Sequence, residues 1–268
     1  MNLKKKVHEF WNKSSCGEDL YLIEESKDGY NNQSNSRYKL EGDLIFPFAE
    51  FDKYRGKKVL EIGVGLGSDH QKFAESGANL FGIDLTEKAV NHAIKRFSLF
   101  DLRSNISIGD SDFLKFKDEE FDLVYSWGTL HHNPDTSRSV SEVYRVLKKG
   151  GQAKIMIYHK WSIVGYMLWV RYGLLRLKPL RTLDYIYSNF LESLGTKAYS
   201  RKQAKELFSS FKSIDIETPL THADLLESNV GQRHRGLILT FVKIVFPRLL
   251  IRLVMPSSGL YMLIKLRK

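Results

Sequence analysis

Three glycines stand at alternate positions directly after an apolar run, in Val59-Leu60-Glu61-Ile62-Gly63-Val64-Gly65-Leu66-Gly67. Glycine reaches positive φ and carries no Cβ, so such a loop lets a ligand lie on main-chain amides. Asp84 closes the next apolar run, Leu80-Phe81-Gly82-Ile83-Asp84, 21 residues after Gly63. That is the spacing of an acid that hydrogen-bonds ribose hydroxyls. A dinucleotide loop reads G-x-G-x-x-G/A, and here the third glycine arrives one residue early. Glu61, two residues before Gly63, would repel a pyrophosphate and could hold an ammonium group. Both departures point to a nucleoside that carries an amino acid.

A second set of residues could move protons. His131 and His132 follow one strand-like run, and Tyr158 and His159 follow the next. Imidazole titrates near neutral pH, which suits a general base. The histidines lack H-E-x-x-H spacing and no nucleophilic triad is spaced along the chain, so no metal site is expected. The single cysteine, Cys16, excludes a disulfide framework within the chain.

These groups need a scaffold that brings loop ends together, and the sequence spells one out. Apolar runs such as "KKVLEIG", "NLFGID", "FDLVYSW" and "QAKIMIYH" alternate with helical patterns such as "DHQKFAES" and "TEKAVNHAIKRF". Thr86 is placed as an N-cap with Glu87 just inside. Alternation of this kind means βαβ units, an α/β class and a parallel sheet. Residues 1–20 read as a helix carrying Phe10 and Trp11, and Glu41 to Phe51 as another. Between them, the polar, turn-rich residues 24–38 are expected as a loop or mobile segment.

The motifs together resemble those of class I S-adenosylmethionine (SAM) methyltransferases. Glu61 to Gly67 resembles their E/D-x-G-x-G-x-G motif, and "GIDLT" (Gly82 to Thr86) their ribose motif. "GDSDFLKF" (Gly109 to Phe116) is similar to "GDAxxLPF", with Lys115 where proline is usual. "FDLVYSWGTLHHNPD" and "SEVYRVLKKGGQAKIMIY" resemble the following block in the type 11 subgroup that includes ubiquinone and menaquinone methyltransferases. The resemblance covers residues 56–160. It implies a Rossmann-like, seven-stranded, mostly parallel sheet with flanking helices. It also implies that SAM is held by Glu61, Gly63, Gly65, Gly67, Asp84, Leu85, Asp110, Ser111 and Trp127. Asp110 would accept from the adenine amino group and Ser111 would offer its backbone amide. Trp127 and Gly128 would lie near the sulfonium. An N-terminal lid would bring Trp11, Arg37 and Tyr38, with Arg37 on the methionine carboxylate. The reaction implied is in-line displacement at the methyl carbon, with His131, His132 or His159 as a base where the acceptor is a hydroxyl. In this subgroup the histidine pair is usually structural.

Charge divides the chain. Of 41 Lys+Arg and 31 Asp+Glu, residues 151–268 hold 19 and 7, so the second half is strongly basic and the first near neutral. Such asymmetry fits an anionic partner or a solubilising surface. "WSIVGYMLWVRYGLLRLK" (161–178) and "GLILTFVKIVFPRLLIRLVM" (236–255) set cations on an apolar background. Both could lie in a membrane interface or roof a substrate pocket. Neither is a continuous uncharged stretch of the roughly 18 residues that a spanning helix needs. The basic N-terminus lacks the apolar region of a signal peptide. The expected location is cytoplasmic, with peripheral contact at the inner membrane face as a second expectation. The expected layout is a lid segment at 1–55, a SAM-binding core at 56–160, and a helical insertion with closing strands at 161–268. The last two strands fall near 211–217 and 259–267. A small or lipid-like acceptor is the leading reading. A nucleic-acid methyltransferase is an alternative, although no N-P-P-Y motif follows the fourth strand. A non-catalytic SAM-binding regulator is another.

Overall fold

The computed structural model describes residues 3–227, 243–244 and 246–268. Its centre is a seven-stranded sheet in the order β3-β2-β1-β4-β5-β7-β6. The strands are β1 (Lys58–Ile62), β2 (Asn79–Asp84), β3 (Asn105–Ile108), β4 (Phe121–Trp127), β5 (Leu147–Tyr158), β6 (Ser213–Glu217) and β7 (Tyr261–Arg267). β1 to β5 pair in parallel, and β7 runs antiparallel between β5 and β6. Strand order turns at the β1–β4 seam, so a crevice opens beyond the carboxyl ends of these two strands, where α/β sheets bind ligands.

Side chains alternate across each strand, and this divides the core in two. On one face Leu60, Val124, Ile155 and Ile157 pack with α6 (Thr136–Val146) and α9 (Arg201–Leu207) through Val140, Val143 and Ala204. On the other, Val59, Leu123, Tyr125 and Met156 pack with α3 (Lys27–Ala49), α4 (Ser68–Glu75) and α5 (Glu87–Leu99) through Phe48, Phe73 and Phe97. Full burial of each such side chain contributes about 1.5–3 kcal/mol. Thr86 caps α5 as its sequence position predicts, accepting from Ala89 N at 3.4 Å.

The structure corrects the expectation at residues 24–38. Residues 27–38 form the first half of the 23-residue helix α3, which continues through the stretch expected as a separate helix. The reason is tertiary. Arg96 on α5 is fully buried, and its guanidinium donates to Tyr30 O, Ser34 Oγ and Gln33 Oε1 on α3. Tyr30 Oη meets His92 Nδ1 at 2.9 Å. These contacts hold a polar sequence in a helix that its own propensity would leave loose. The N-terminal 20 residues likewise divide, into α1 (Leu3–Lys13) and α2 (Glu18–Tyr21).

After β5 come α7 (Ile163–Tyr172), α8 (Leu183–Ile186) and α9. The segment between β6 and β7 includes a short helix, Arg248–Val254. The sequence 236–255 read as an interfacial or roofing segment lies partly outside the described residues.

Candidate active site

The loop after β1 is shaped by close approach. At Gly63, φ is +86°, and a Cβ there would fall 2.0 Å from Thr129 Oγ1. At Gly65, φ is +50° and a Cβ would meet nothing within 4 Å. Gly63 and Gly65 therefore present bare main chain for two reasons, a crowded wall and an open one. Gly67 begins α4 and packs on Arg96 and Ala93. It is not among the residues that line the cavity beyond the loop.

That cavity measures about 1080 Å³ and takes in Glu61, Gly63, Gly65, Asp84, Leu85, Asp110, Ser111 and Trp127. Asp84 Oδ2 accepts from Gly65 N at 3.1 Å, while Oδ1 accepts from Thr86 N and Thr86 Oγ1. Burial raises the Asp84 pKa, and the bonds from Thr86 and Gly65 oppose the rise. Asp110 is reached by Lys4 of α1, whose Nζ lies 2.6 Å from Asp110 Oδ2 and 2.5 Å from Asp112 Oδ2. Lys4, Asp69 and Glu192 line the cavity and Asp112 holds Lys4 from behind it, and sequence reasoning missed all four. Lys4 sits 106 residues from Asp110 and has no spacing signature.

Glu61 is buried, with its Oε2 2.9 Å from His70 Nδ1. His70 Nε2 lies 2.8 Å from Ser104 Oγ, which donates its own proton to Leu80 O. Ser104 therefore accepts from Nε2–H, and Nδ1 takes its hydrogen bond from a protonated Glu61. The charges agree: burial, then Asp69, pushes the Glu61 pKa well up, and burial pushes that of His70 down to about 3.

Of the residues expected in a lid, Trp11 and Arg37 line the same cavity and Tyr38 does not. Arg37 holds Asp69 and stands 3.7 Å from Glu41, while its Nε is buried without a hydrogen-bond partner. Trp11 meets the ring of His132 edge-on, with centroids 5.2 Å apart. Tyr38 donates to Asp69 Oδ1 at 3.0 Å. Trp127 packs between Phe48 and Tyr261.

Of the three candidate histidines, only His132 lines the cavity. Its Nε2 is 3.3 Å from Glu192 Oε2, and its Nδ1 is 3.0 Å from Ser193 Oγ. His131 is fully buried between His132 and Tyr158, and neither ring nitrogen has a partner. Burial, with His132 and Lys197 nearby, holds its pKa well below 6.5. His159 turns its Nδ1 to Gly259 O at 3.2 Å. It follows Tyr158 on a strand end, so when Tyr158 faces the cavity His159 faces away. The expectation that His131 or His159 stands at the cavity is thus corrected.

The model of the family described as "Methyltransferase domain" matches residues 60–155. A ubiquinone biosynthesis O-methyltransferase of Pseudomonas syringae pv. syringae is 30% identical over 190 residues, covering 66% of this chain and 75% of the relative. The chain belongs to the class I SAM-dependent methyltransferases. A phosphoethanolamine N-methyltransferase 2 of Caenorhabditis elegans is 35% identical over 134 residues, 49% of this chain and 30% of the relative. The chain spans 30–64% of the length of three curated relatives that it matches. The fold is shared with a Haemonchus contortus phosphoethanolamine N-methyltransferase 2, solved with phosphomonomethylethanolamine and S-adenosylhomocysteine. Its TM-score is 0.60 at 18% identity, over 100% of this chain and 60% of that one.

The cofactor of this methyltransferase family is SAM, and the residues present fit it. Open main chain at Gly65 stands beside the half-buried carboxylate of Asp84, as a ribose needs. The unpartnered Nε–H of Arg37 is a donor suited to a carboxylate.

Proposed function

We propose that this chain transfers the SAM methyl group to a small, amphipathic, lipid-like acceptor. The observation that carries the reading is the continuity of one cavity. It runs from the glycine loop and Asp84 past Trp127 and His132 to an apolar wall that includes Ile163, Met167, Leu168, Leu175 and Ile251. Ligand pockets are typically about 300–1,000 Å³, so about 1080 Å³ leaves room for a second molecule beside a nucleoside.

When bound, SAM supplies an electrophilic methyl group on a positively charged sulfur. The chain's part is alignment and exclusion of water, which can contribute roughly 7–11 kcal/mol. Asp84 and Gly65 would fix the ribose, Asp110 and Ser111 the adenine, and Arg37 the methionine carboxylate. Gly67 would act indirectly, by seating α4 against Arg96. Trp11 and Phe10 would close the lid over the acceptor. Where the acceptor is a hydroxyl, the His132–Glu192 pair is the polar group placed to receive its proton.

Exposed leucines between α7 and α8 and on the helix Arg248–Val254 support peripheral membrane contact. Leu175, Leu177 and Leu180 are 70%, 91% and 94% exposed, and Leu249 and Leu253 are each 73% exposed. Arg176, Lys178, Arg248 and Arg252 are interleaved with them. Apolar side chains with flanking cations suit an anionic lipid surface. Among the described residues no helix is long and apolar enough to cross a membrane.

The test is SAM turnover against lipid extracts and polar metabolite fractions, with mass spectrometry seeking a gain of one methylene unit. A methylated product confined to the lipid fraction supports the reading. Methylation of nucleic acid, or tight SAM binding with no methylated product in any fraction, overturns it.

A further inference from the structure

We propose that His131, His132 and Glu192 form a binding site for one divalent transition-metal ion of the zinc class. Adjacent histidines and a glutamate sixty residues later carry no spacing signature, which is why the sequence predicts no metal. The fold brings one ligand atom from each within 4.8 Å of the others.

Two observations call for a cation there. The first is His131, fully buried with both ring nitrogens unpartnered. An unsatisfied buried polar group costs about 1–3 kcal/mol, and coordination would use one of these nitrogens. The second is the contact between His132 and Glu192. His132 Nε2 faces Glu192 Oε2 at 3.3 Å, and the same oxygen accepts from Tyr158 Oη at 2.8 Å. His132 Nδ1 is turned the other way, to Ser193 Oγ at 3.0 Å and Thr196 Oγ1 at 3.1 Å. An imidazole nitrogen and a carboxylate oxygen thus already stand at the separation of two ligands of one ion. Thr196 and Ser193 become the outer partners that orient a ligating histidine.

The donor set is two nitrogens and one carboxylate oxygen, which suits zinc and its neighbours better than calcium or magnesium. Bonds of about 2.0–2.2 Å in a tetrahedral shell put ligand atoms about 3.3–3.5 Å apart. The His132–Glu192 separation already matches, and small side-chain rotations bring in His131. His132, Glu192 and Tyr158 also line the cavity, so the fourth position would open toward the acceptor. An acceptor hydroxyl bound there would be more acidic than when free. That last point rests on the methyl-transfer reading, whereas metal uptake does not.

The experiment titrates chelator-treated full chain with Zn²⁺ alone by calorimetry and with Co²⁺ alone by visible absorption. The expected result is one equivalent bound, with cobalt d–d bands, and affinity at least tenfold weaker in Glu192→Gln. His131→Gln should show the same loss, and His8→Gln, at an exposed site, should not. Glu192 is partly exposed and glutamine keeps its shape, so that variant decides the matter if His131→Gln fails to fold. No uptake by the wild-type chain, or uptake unchanged in Glu192→Gln, overturns the site. Either result leaves the SAM turnover test untouched.

Discussion

Arg37 and Asp69 join α3 to the start of α4, just past the glycine loop. Arg37 Nη2 donates to Asp69 Oδ2 at 2.8 Å, and the Asp69 side chain is 2% exposed. Tyr125 Oη donates to the same oxygen at 2.9 Å, and Tyr38 to the other. One buried carboxylate thus ties α3, α4 and β4 together at the end of the cavity where a methionine carboxylate would lie.

Removing the cation alone leaves that carboxylate buried with only neutral donors. Arg37→Ala is expected to lower stability by about 3–5 kcal/mol, as breaking a buried pair does. Chemical denaturation of the two proteins measures this, and a loss below about 1 kcal/mol would show that Asp69 is satisfied without Arg37.

Asp84 accepts from Gly65 N and Thr86 N at the end of β2, where the proposed site would hold a ribose. A hydrogen bond to a charged group contributes about 1.5–3 kcal/mol. Asp84→Ala should weaken SAM binding at least tenfold by calorimetry. Unchanged affinity would remove Asp84 from the site.

The Glu61–His70 pair makes stability depend on pH in a stated direction. Folded, the pair holds one proton on Glu61, whose pKa is raised, while that of His70 is lowered to about 3. Unfolded, histidine titrates near 6.5 and glutamate near 4.3, so between these values both states hold one proton and the pair adds no slope. Above about pH 6.5 the unfolded chain sheds its proton and the folded pair keeps it. Stability should then fall by up to about 1.4 kcal/mol per pH unit. In Glu61→Gln, only the buried neutral His70 remains. Its contribution should be lost as pH falls below about 6.5 and be level above. Denaturation midpoints at pH 5, 6, 7 and 8 would show whether the two slopes differ in this way. Parallel curves would argue that the pair is not coupled through one proton.

Leu177 and Leu180 are more than nine-tenths exposed. The double change Leu177→Asp, Leu180→Asp should leave thermal unfolding and SAM affinity unchanged while reducing co-sedimentation with anionic vesicles several-fold. Vesicle binding by the variant equal to wild type, or no binding by either protein at low salt, would end the membrane proposal.

The parts legible in the sequence are those set by local pattern. Alternating apolar runs and amphipathic helices announced the parallel sheet, because strand and helix periods are written into neighbouring residues. Gly63, Gly65 and Asp84 were legible because a tight turn and a strand end restrict residue type at short range. Helix α3 was not, because its first half is held by Arg96 on α5, between 62 and 66 residues away.

The sequence by itself determined the class of fold, the glycine loop, and the acids that stand at the strand ends. Tertiary structure alone decided that Lys4 reaches Asp110 and Asp112, that His132 and not His159 meets the cavity, and that Glu192 arrives beside two histidines. The physical reason is chain separation. Contacts across 60 to 108 residues depend on how whole elements pack, and no local preference records them.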